Sequence, residues 1–244
     1  MKIGVFDSGI GGLTVLKELV SSYPNNEYIY IGDTKNIPYG NKTKEELLNL
    51  SIKIIDYFIS IKVDKIIIAC GTISSNISNL LKQKYTVDII DIISPTINYL
   101  KNNKYNNIGV LATKMTVNSK IFSTKLHNKK VIEVECPKLV PAIESKDENK
   151  IDNYLHEYLS IFKDNKIDIL VLGCTHYPII KDNIKKILDN DIEILNMANP
   201  VLKLLSNNTT SQLEIYFTKV DSNVINNTKT ILSDIKGSIN EIKL

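Results

Sequence analysis

Short runs of apolar, mostly β-branched residues alternate with stretches whose apolar positions recur every three to four residues, and this continues along the whole chain. The short runs have the length of buried strands, and the 3.6-residue period is that of an amphipathic helix. Strands are expected over 2–6, 27–31, 65–69, 87–93, 107–111, 130–134, 167–172, 192–195 and 213–217. Leu13, Leu16 and Leu19 mark one helix between them. Leu47, Leu50, Ile54 and Phe58 mark another, opened by a capping box of Thr43 with Glu46. Further helices are expected over 73–84, from Pro95, from near Thr116, and over 148–164, where Ile151, Tyr154, Leu155, Tyr158 and Leu159 share a face. Three more cover 178–189, 200–207 and 223–235. Such alternation implies an α/β fold, with parallel sheets covered by helices on both faces.

The pattern repeats. Ile3-Gly4-Val5-Phe6-Asp7-Ser8 matches Ile108-Gly109-Val110-Leu111-Ala112-Thr113 at a separation of 105 residues. Ile66-Ile67-Ile68-Ala69-Cys70-Gly71-Thr72 matches Leu170-Val171-Leu172-Gly173-Cys174-Thr175-His176 at a separation of 104. Two independent matches at nearly one offset imply two pseudo-symmetric α/β domains. One is expected over 1–94 together with 208–244, the other over 95–207, with no Gly/Ser-rich linker to hold them apart. The site is expected in the cleft between the strand ends, where open α/β sheets bind ligands.

Composition narrows the function class. The chain has 244 residues, 43 % of them hydrophobic, enough for a sizeable core. The net charge of +3 is scattered, and no basic block calls for a nucleic-acid or membrane partner. Residues 1–7 resemble a first strand rather than a signal peptide, since Asp7 breaks a very short apolar run. No stretch approaches the roughly 20 apolar residues of a membrane span. Three cysteines, Cys70, Cys136 and Cys174, lie far apart and suit a reducing cytoplasm better than a disulfide framework. Without C-x-x-C spacing, neither a metal site (with Cys136 and His176 as further ligands) nor a redox pair is expected.

The candidate chemistry centres on Cys70 and Cys174. A free cysteine is ordinarily a small buried hydrophobe. These two sit where a strand meets a helix start, and backbone N–H groups there stabilise a thiolate. His176 stands two residues past Cys174, able to take a proton from the thiol or to hold a substrate carboxylate, although a surface histidine is the plainer alternative. Asp7-Ser8-Gly9-Ile10-Gly11-Gly12 is a glycine-rich turn. It is not a dinucleotide fingerprint: the third glycine would fall at Thr14, and Asp7 would face the pyrophosphate. An anion-binding loop for a small carboxylate fits better, with Asp7 placed to orient or protonate a neighbour such as Cys70. Pro38-Tyr39-Gly40 offers backbone N–H groups or is an ordinary turn. Thr113 and Thr116 offer hydroxyls or a helix cap. Glu144 is either a second acid near Cys174 or a solvated helix residue.

Taken together, five motifs in register resemble the glutamate racemases of the aspartate/glutamate racemase superfamily. They are Asp7 to Val15, Gly32-Asp33-Thr34 with Pro38-Tyr39-Gly40, Ala69-Cys70-x-Thr72, Cys136-Pro137-x-Leu139-Val140-Pro141 with Glu144, and Gly173 to Pro178. The resemblance implies two pseudo-symmetric domains, usually a homodimer, that interconvert L- and D-glutamate without cofactor and supply D-glutamate for peptidoglycan. It also implies that Cys70 and Cys174 are acid/base thiols on opposite faces of the substrate α-carbon. Asp7 would assist the first, and His176 and Glu144 the second. Ser8, Tyr39, Gly40, Thr72, Thr113, Thr116 and Thr175 match substrate-contact positions, and Pro38 and Gly71 lie within the same motifs. The chain departs from the family at Gly71, where asparagine is usual, at Ile73, where a small residue is usual, and at Leu195-Asn196-Met197-Ala198, where an Asp-Ser pair is usual. These departures keep two alternatives open: a racemase or epimerase of another amino acid, and a binding or regulatory homologue without turnover.

Overall fold

The structure is a computed structural model that describes residues 1–188, 191–235 and 237–244. Among the described residues ten strands form two wholly parallel sheets. They are β1 (Lys2–Asp7), β2 (Glu27–Gly32), β3 (Lys65–Ile68), β4 (Asp88–Asp91), β5 (Asn107–Ala112), β6 (Lys130–Glu135), β7 (Ile169–Leu172), β8 (Glu193–Asn196), β9 (Gln212–Phe217) and β10 (Ser238–Glu241). The six-stranded sheet runs β10-β9-β2-β1-β3-β4 and the four-stranded sheet runs β6-β5-β7-β8. The order β2-β1-β3-β4 is thus repeated as β6-β5-β7-β8, the spatial counterpart of the sequence repeat. The chain returns to the first sheet at its end, where β9 pairs with β2.

The near-continuous apolar strands follow from burial on both faces. Ile3, Val5 and Ile67 of the first sheet share one core with Ile108, Val110 and Val171 of the second. The alternate residues point the other way, Phe6, Ile66 and Ile68 into a core of the first half and Leu111, Leu170 and Leu172 into a core of the second. The repeat extends to the covering helices. The ring of Phe58, on helix Lys44–Ser60, occupies the space a Cβ at Gly4 would take. Phe162, on helix Glu148–Asn165, does the same at Gly109. Both helices are capped in one manner, by Thr43 accepting from the Glu46 N–H and by Asp147 accepting from the Lys150 N–H. The Thr43–Glu46 capping box is present as expected.

Several elements differ from the sequence pattern. The stretch expected as one helix over 73–84 begins at Gly71 and is two helices, Gly71–Asn76 and Ser78–Lys84, broken at Ile77 with φ −135°. The helix expected near Thr116 is also two, Lys114–Asn118 and Ile121–Lys125, separated where Lys120 is left-handed with φ 53°. The stretch expected from 178 is a 3-10 turn, Tyr177–Ile180, followed by helix Lys181–Ile187; residues 189–190 lie outside the described residues. The helix expected over 200–207 is confined to Ala198–Leu202. Strand β10 has no counterpart in the apolar pattern, because Ile239 is its only apolar residue and it forms the sheet edge. Among the described residues no helix is long and apolar enough to cross a membrane.

Candidate active site

The equivalent strands β3 and β7 each end two residues before a cysteine, so the repeat delivers Cys70 and Cys174 to the same edge of their sheets. Both thiols are almost fully buried, and both line a cavity of about 400 Å³ between the two halves. Ser8, Pro38, Tyr39, Gly40, Gly71 and Thr72 line it from the first half. Thr113, Glu144, Thr175 and His176 line it from the second. Thr116 and Asp7 do not line the cavity. Thr116 is wholly buried, 3.0 Å behind the Thr113 hydroxyl, and its backbone N–H caps onto that hydroxyl. Thr113 is therefore both a helix cap and a cavity residue.

Each thiol has its own polar support. The Cys70 thiol donates to Ser8 Oγ at 3.5 Å. Beside it lies Asp7, fully buried at the end of β1, whose Oδ1 accepts from the Gly9 N–H at 2.8 Å and Oδ2 from the Thr175 hydroxyl at 3.2 Å. Burial pushes the Asp7 carboxyl up, against the charge of His176 and the hydrogen bonds from Gly9, Gly12 and Thr175. Burial, and then the Asp7 charge, push the Cys70 thiol up to about 12, with the Ser8 hydroxyl opposing. The expectation that the strand-to-helix junction would favour a thiolate is corrected here. At Cys70, removal of the sulfur from water and then the Asp7 charge outweigh the Ser8 hydroxyl and the Ile73 N–H, and the thiol holds its proton at neutral pH.

On the other side, Cys174 Sγ lies 3.8 Å from His176 Nδ1, and His176 Nε2 lies 2.9 Å from Glu144 Oε1. Burial lowers the His176 pKa, but the contacts with Cys174 and Glu144 outweigh it and lift the imidazole to about 10. Protonated, both ring nitrogens donate, one toward the sulfur and one toward the carboxylate. Neither alternative of a surface histidine nor of a solvated Glu144 holds: His176 is 5 % exposed and its Nε2 is bonded to Glu144. A folded-state pKa of about 10 lies above the ordinary 6.5. The stabilisation it reports is therefore complete below about 6.5 and is lost as pH rises from there through about 10. His176→Gln should flatten the decline in Tm over that window, measured at constant ionic strength; the same slope in variant and wild type would contradict the ion pair.

The glycine-rich turn divides in two. Ser8 and Gly9 line the cavity, but Gly11 and Gly12 do not. A Cβ at Gly11 would run into the His176 ring and the Thr175 hydroxyl, and one at Gly12 into Asp7. Gly11 lets the first half lie against the Thr175-His176 loop, and Gly12 makes room for Asp7 and the Tyr30 hydroxyl within the first half. Thr14, where a third fingerprint glycine would stand, donates to the Thr175 carbonyl at 2.8 Å and fixes that contact. The Thr72 and Thr113 hydroxyls, 3.0 Å apart, make another bridge between the halves.

Some supporting residues lie outside the expected site residues, although Asp33 and Cys136 stand within the quoted motifs. Asp33 is buried and accepts from the Tyr39 hydroxyl at 2.6 Å, from Asn36 and from Thr218, which anchors the Pro38-Tyr39-Gly40 turn to the end of β9. Asn227, from helix Ser222–Ile231, donates to the Glu144 carbonyl at 3.1 Å and so ties the returning tail to the site. Cys136 and Lys114 also line the cavity. Burial and Cys174 push the Cys136 thiol upward. Among the described residues no cluster of three or more His, Cys, Asp or Glu is arranged to hold a metal ion.

A sequence model of the Asp/Glu/hydantoin racemase family matches residues 12–198. The glutamate racemase of Persephonella marina is 34 % identical over 252 aligned residues, covering 100 % of this chain and 92 % of that protein. The crystal structure of the Francisella tularensis glutamate racemase in complex with D-glutamate superposes with a TM-score of 0.89 at 33 % identity, covering 100 % and 97 % of the two chains. The Aquifex pyrophilus glutamate racemase structure gives a TM-score of 0.82 at 35 % identity, covering 98 % of each chain. Matched along most of its length in sequence and in fold, the chain belongs to the Asp/Glu/hydantoin racemase family.

Proposed function

We propose that this protein racemises glutamate without a cofactor, using Cys70 and Cys174 as a pair of acid/base groups. The observation that carries the reading is the placement of two thiols at equivalent ends of a duplicated sheet, both lining one cavity, each with separate polar support. Inversion at a carbon requires a base on one face and an acid on the other. One sulfur takes the α-proton as the Cα–H bond breaks, and the other gives up its S–H proton to form a new Cα–H bond on the opposite face. The next turnover in the same direction requires the two protonation states to be restored.

The supports suit this division. Cys70, held as a thiol by burial and Asp7, is ready as donor. The imidazolium of His176, oriented by Glu144, stabilises negative charge on the opposite sulfur. For the reverse direction Cys70 must lose its proton, and the positive charge that the substrate ammonium brings into the cavity offsets the negative charge of the buried Asp7, which opposes this. The α-proton is very weakly acidic, so hydroxyls and backbone N–H groups in a dry cleft must stabilise the carbanion-like state. Ser8, Thr72, Thr113 and Thr175 are the hydroxyls that line the cavity. The same proposal includes a homodimer, domains over 1–94 plus 208–244 and 95–207, and a cytoplasmic role supplying D-glutamate for peptidoglycan.

Exchange of the α-proton in deuterated water, followed across a panel of amino acids, tests the reading. Exchange of both glutamate enantiomers with loss of optical rotation is expected. Exchange confined to another amino acid would move the substrate assignment, for which Gly71 is the motive. Binding without any exchange would leave a homologue that has lost turnover.

A further inference from the structure

Among the described residues three charged or protonated side chains line the cavity: Lys114, Glu144 and His176. Glu144 and His176 are committed to one another at 2.9 Å. Lys114 is exposed and has no hydrogen bond or ion pair among the described residues. It is the first residue of helix Lys114–Asn118 and directly follows Thr113, whose hydroxyl bridges to Thr72. That helix packs on the Tyr39–Asn41 turn of the first half. Lys114 thus lines the cavity as an exposed residue where the two halves meet, whereas the two thiols that line it are buried.

Position 71 makes this cation matter more. Glycine there supplies no side-chain amide, and none fits in its place, since a Cβ would stand 2.5 Å from the Gly173 carbonyl oxygen. Apart from the Glu144–His176 pair and the thiols, the polar groups left are hydroxyls, backbone groups and the Asn41 amide, none of which carries a full positive charge. Glutamate presents two carboxylates and one ammonium. With its α-carbon between Cys70 and Cys174, the side-chain carboxylate is the charged group that can reach farthest from the thiols.

We propose that Lys114 binds the side-chain carboxylate of the substrate and sets the preference for an acidic over a neutral amino acid. This rests on the racemase reading given above. A lysine suits the task, because its flexible stem and three rotatable donors follow a carboxylate at a partly open site.

The test is steady-state racemisation of glutamate and glutamine by the wild type, Lys114→Met, Lys114→Arg and Lys104→Met. Lys104 precedes β5 at the end of the strand opposite the cavity, so its variant controls for the loss of one charge. In Lys114→Met the KM for glutamate should rise about five- to tenfold with kcat changed less than twofold, the range of a charge-assisted contact in a partly solvated site. The variant should also lose part of the salt dependence of kcat/KM and show unaltered kinetics with glutamine. Lys114→Arg should restore most of the loss, and Lys104→Met should show none. Calorimetric binding of D-glutamate to the wild type and to Lys114→Met separates this proposal from the one beneath it. Racemisation with KM and affinity equal in the two proteins overturns the role of Lys114 alone. Lys114-dependent binding without turnover sustains that role and overturns the racemase reading. Absence of both binding and turnover overturns both.

Discussion

Serine at position 70 or at position 174 is expected to abolish racemisation, with kcat falling at least 10³-fold in either variant while the fold is retained. General acid–base groups contribute about 10² to 10⁴ in rate. Here the loss should lie at the upper end, because a serine hydroxyl is far too weak an acid to take the place of a thiol as base. The substitution is nearly isosteric. At position 70 the new hydroxyl keeps a partner in Ser8 Oγ, so a stability change of about 1 kcal/mol or less is expected. The two variants should not fail identically. Each retains one thiol, and that thiol faces one side of the α-carbon, so each variant should still exchange the α-proton of one enantiomer with deuterated water, slowly and without inversion. The enantiomer retained should differ between them. Circular dichroism of glutamate solutions reads the inversion, and proton NMR in deuterated water reads the exchange. A fully active single variant would sink the two-base reading, as would two variants that retain the same enantiomer.

What could be read in the sequence was what repetition and periodicity encode. The motif pairs at offsets of 104 and 105 foretold two sheets, and β1, β3, β5 and β7 run where the apolar residues place them because strands buried on both faces must be apolar throughout. Cys70, Cys174, His176 and Glu144 were visible as chemistry, and the cavity joins all four. Other features depend on distant backbone and leave little trace. The break at Ile77 and the left-handed Lys120 occur in residues of ordinary helical character. Asn227 reads as one polar residue of an amphipathic helix until the tail returns and brings it to the Glu144 carbonyl, 83 residues away in sequence. The glycines at 11 and 12 have the look of a ligand loop, yet the want of a Cβ at Gly11 serves packing between the halves and that at Gly12 makes room for Asp7. The rise of the Cys70 pKa was missed for a related reason: local spacing reports the helix that follows, whereas desolvation depends on everything that encloses the sulfur.

Restoring the asparagine usual in the family at position 71 is expected to impair the protein rather than improve it. A Cβ at Gly71 would stand 2.5 Å from the Gly173 carbonyl oxygen, and the obstacle is backbone. That backbone cannot withdraw cheaply. The Gly173 N–H bonds to the Leu111 carbonyl at 2.7 Å, and a Cβ on Gly173 itself would already crowd Leu111 and Ala112. Overpacking of this kind costs about 1–3 kcal/mol, which for a chain of this size lowers Tm by about 3–10 °C. The functional effect should be larger, because Gly71 adjoins Cys70 and Gly173 adjoins Cys174. A displacement of about 1 Å between reacting groups costs on the order of 10² in rate. Met197, another departure from the family, lies nearby, with its Cε 3.7 Å from the same Cβ position. That distance is ordinary contact, so Met197→Ser should give Gly71→Asn no relief. Met197 is buried in the core shared by the two halves, and its truncation alone should cost about 2–5 kcal/mol. The double variant should therefore be less stable than either single one and no more active on glutamate than Gly71→Asn. Recovery of wild-type activity in the double variant would show that the pocket was reshaped by an exchange of side chains, and that the close approach of Gly71 to Gly173 yields more readily than its hydrogen bonding implies.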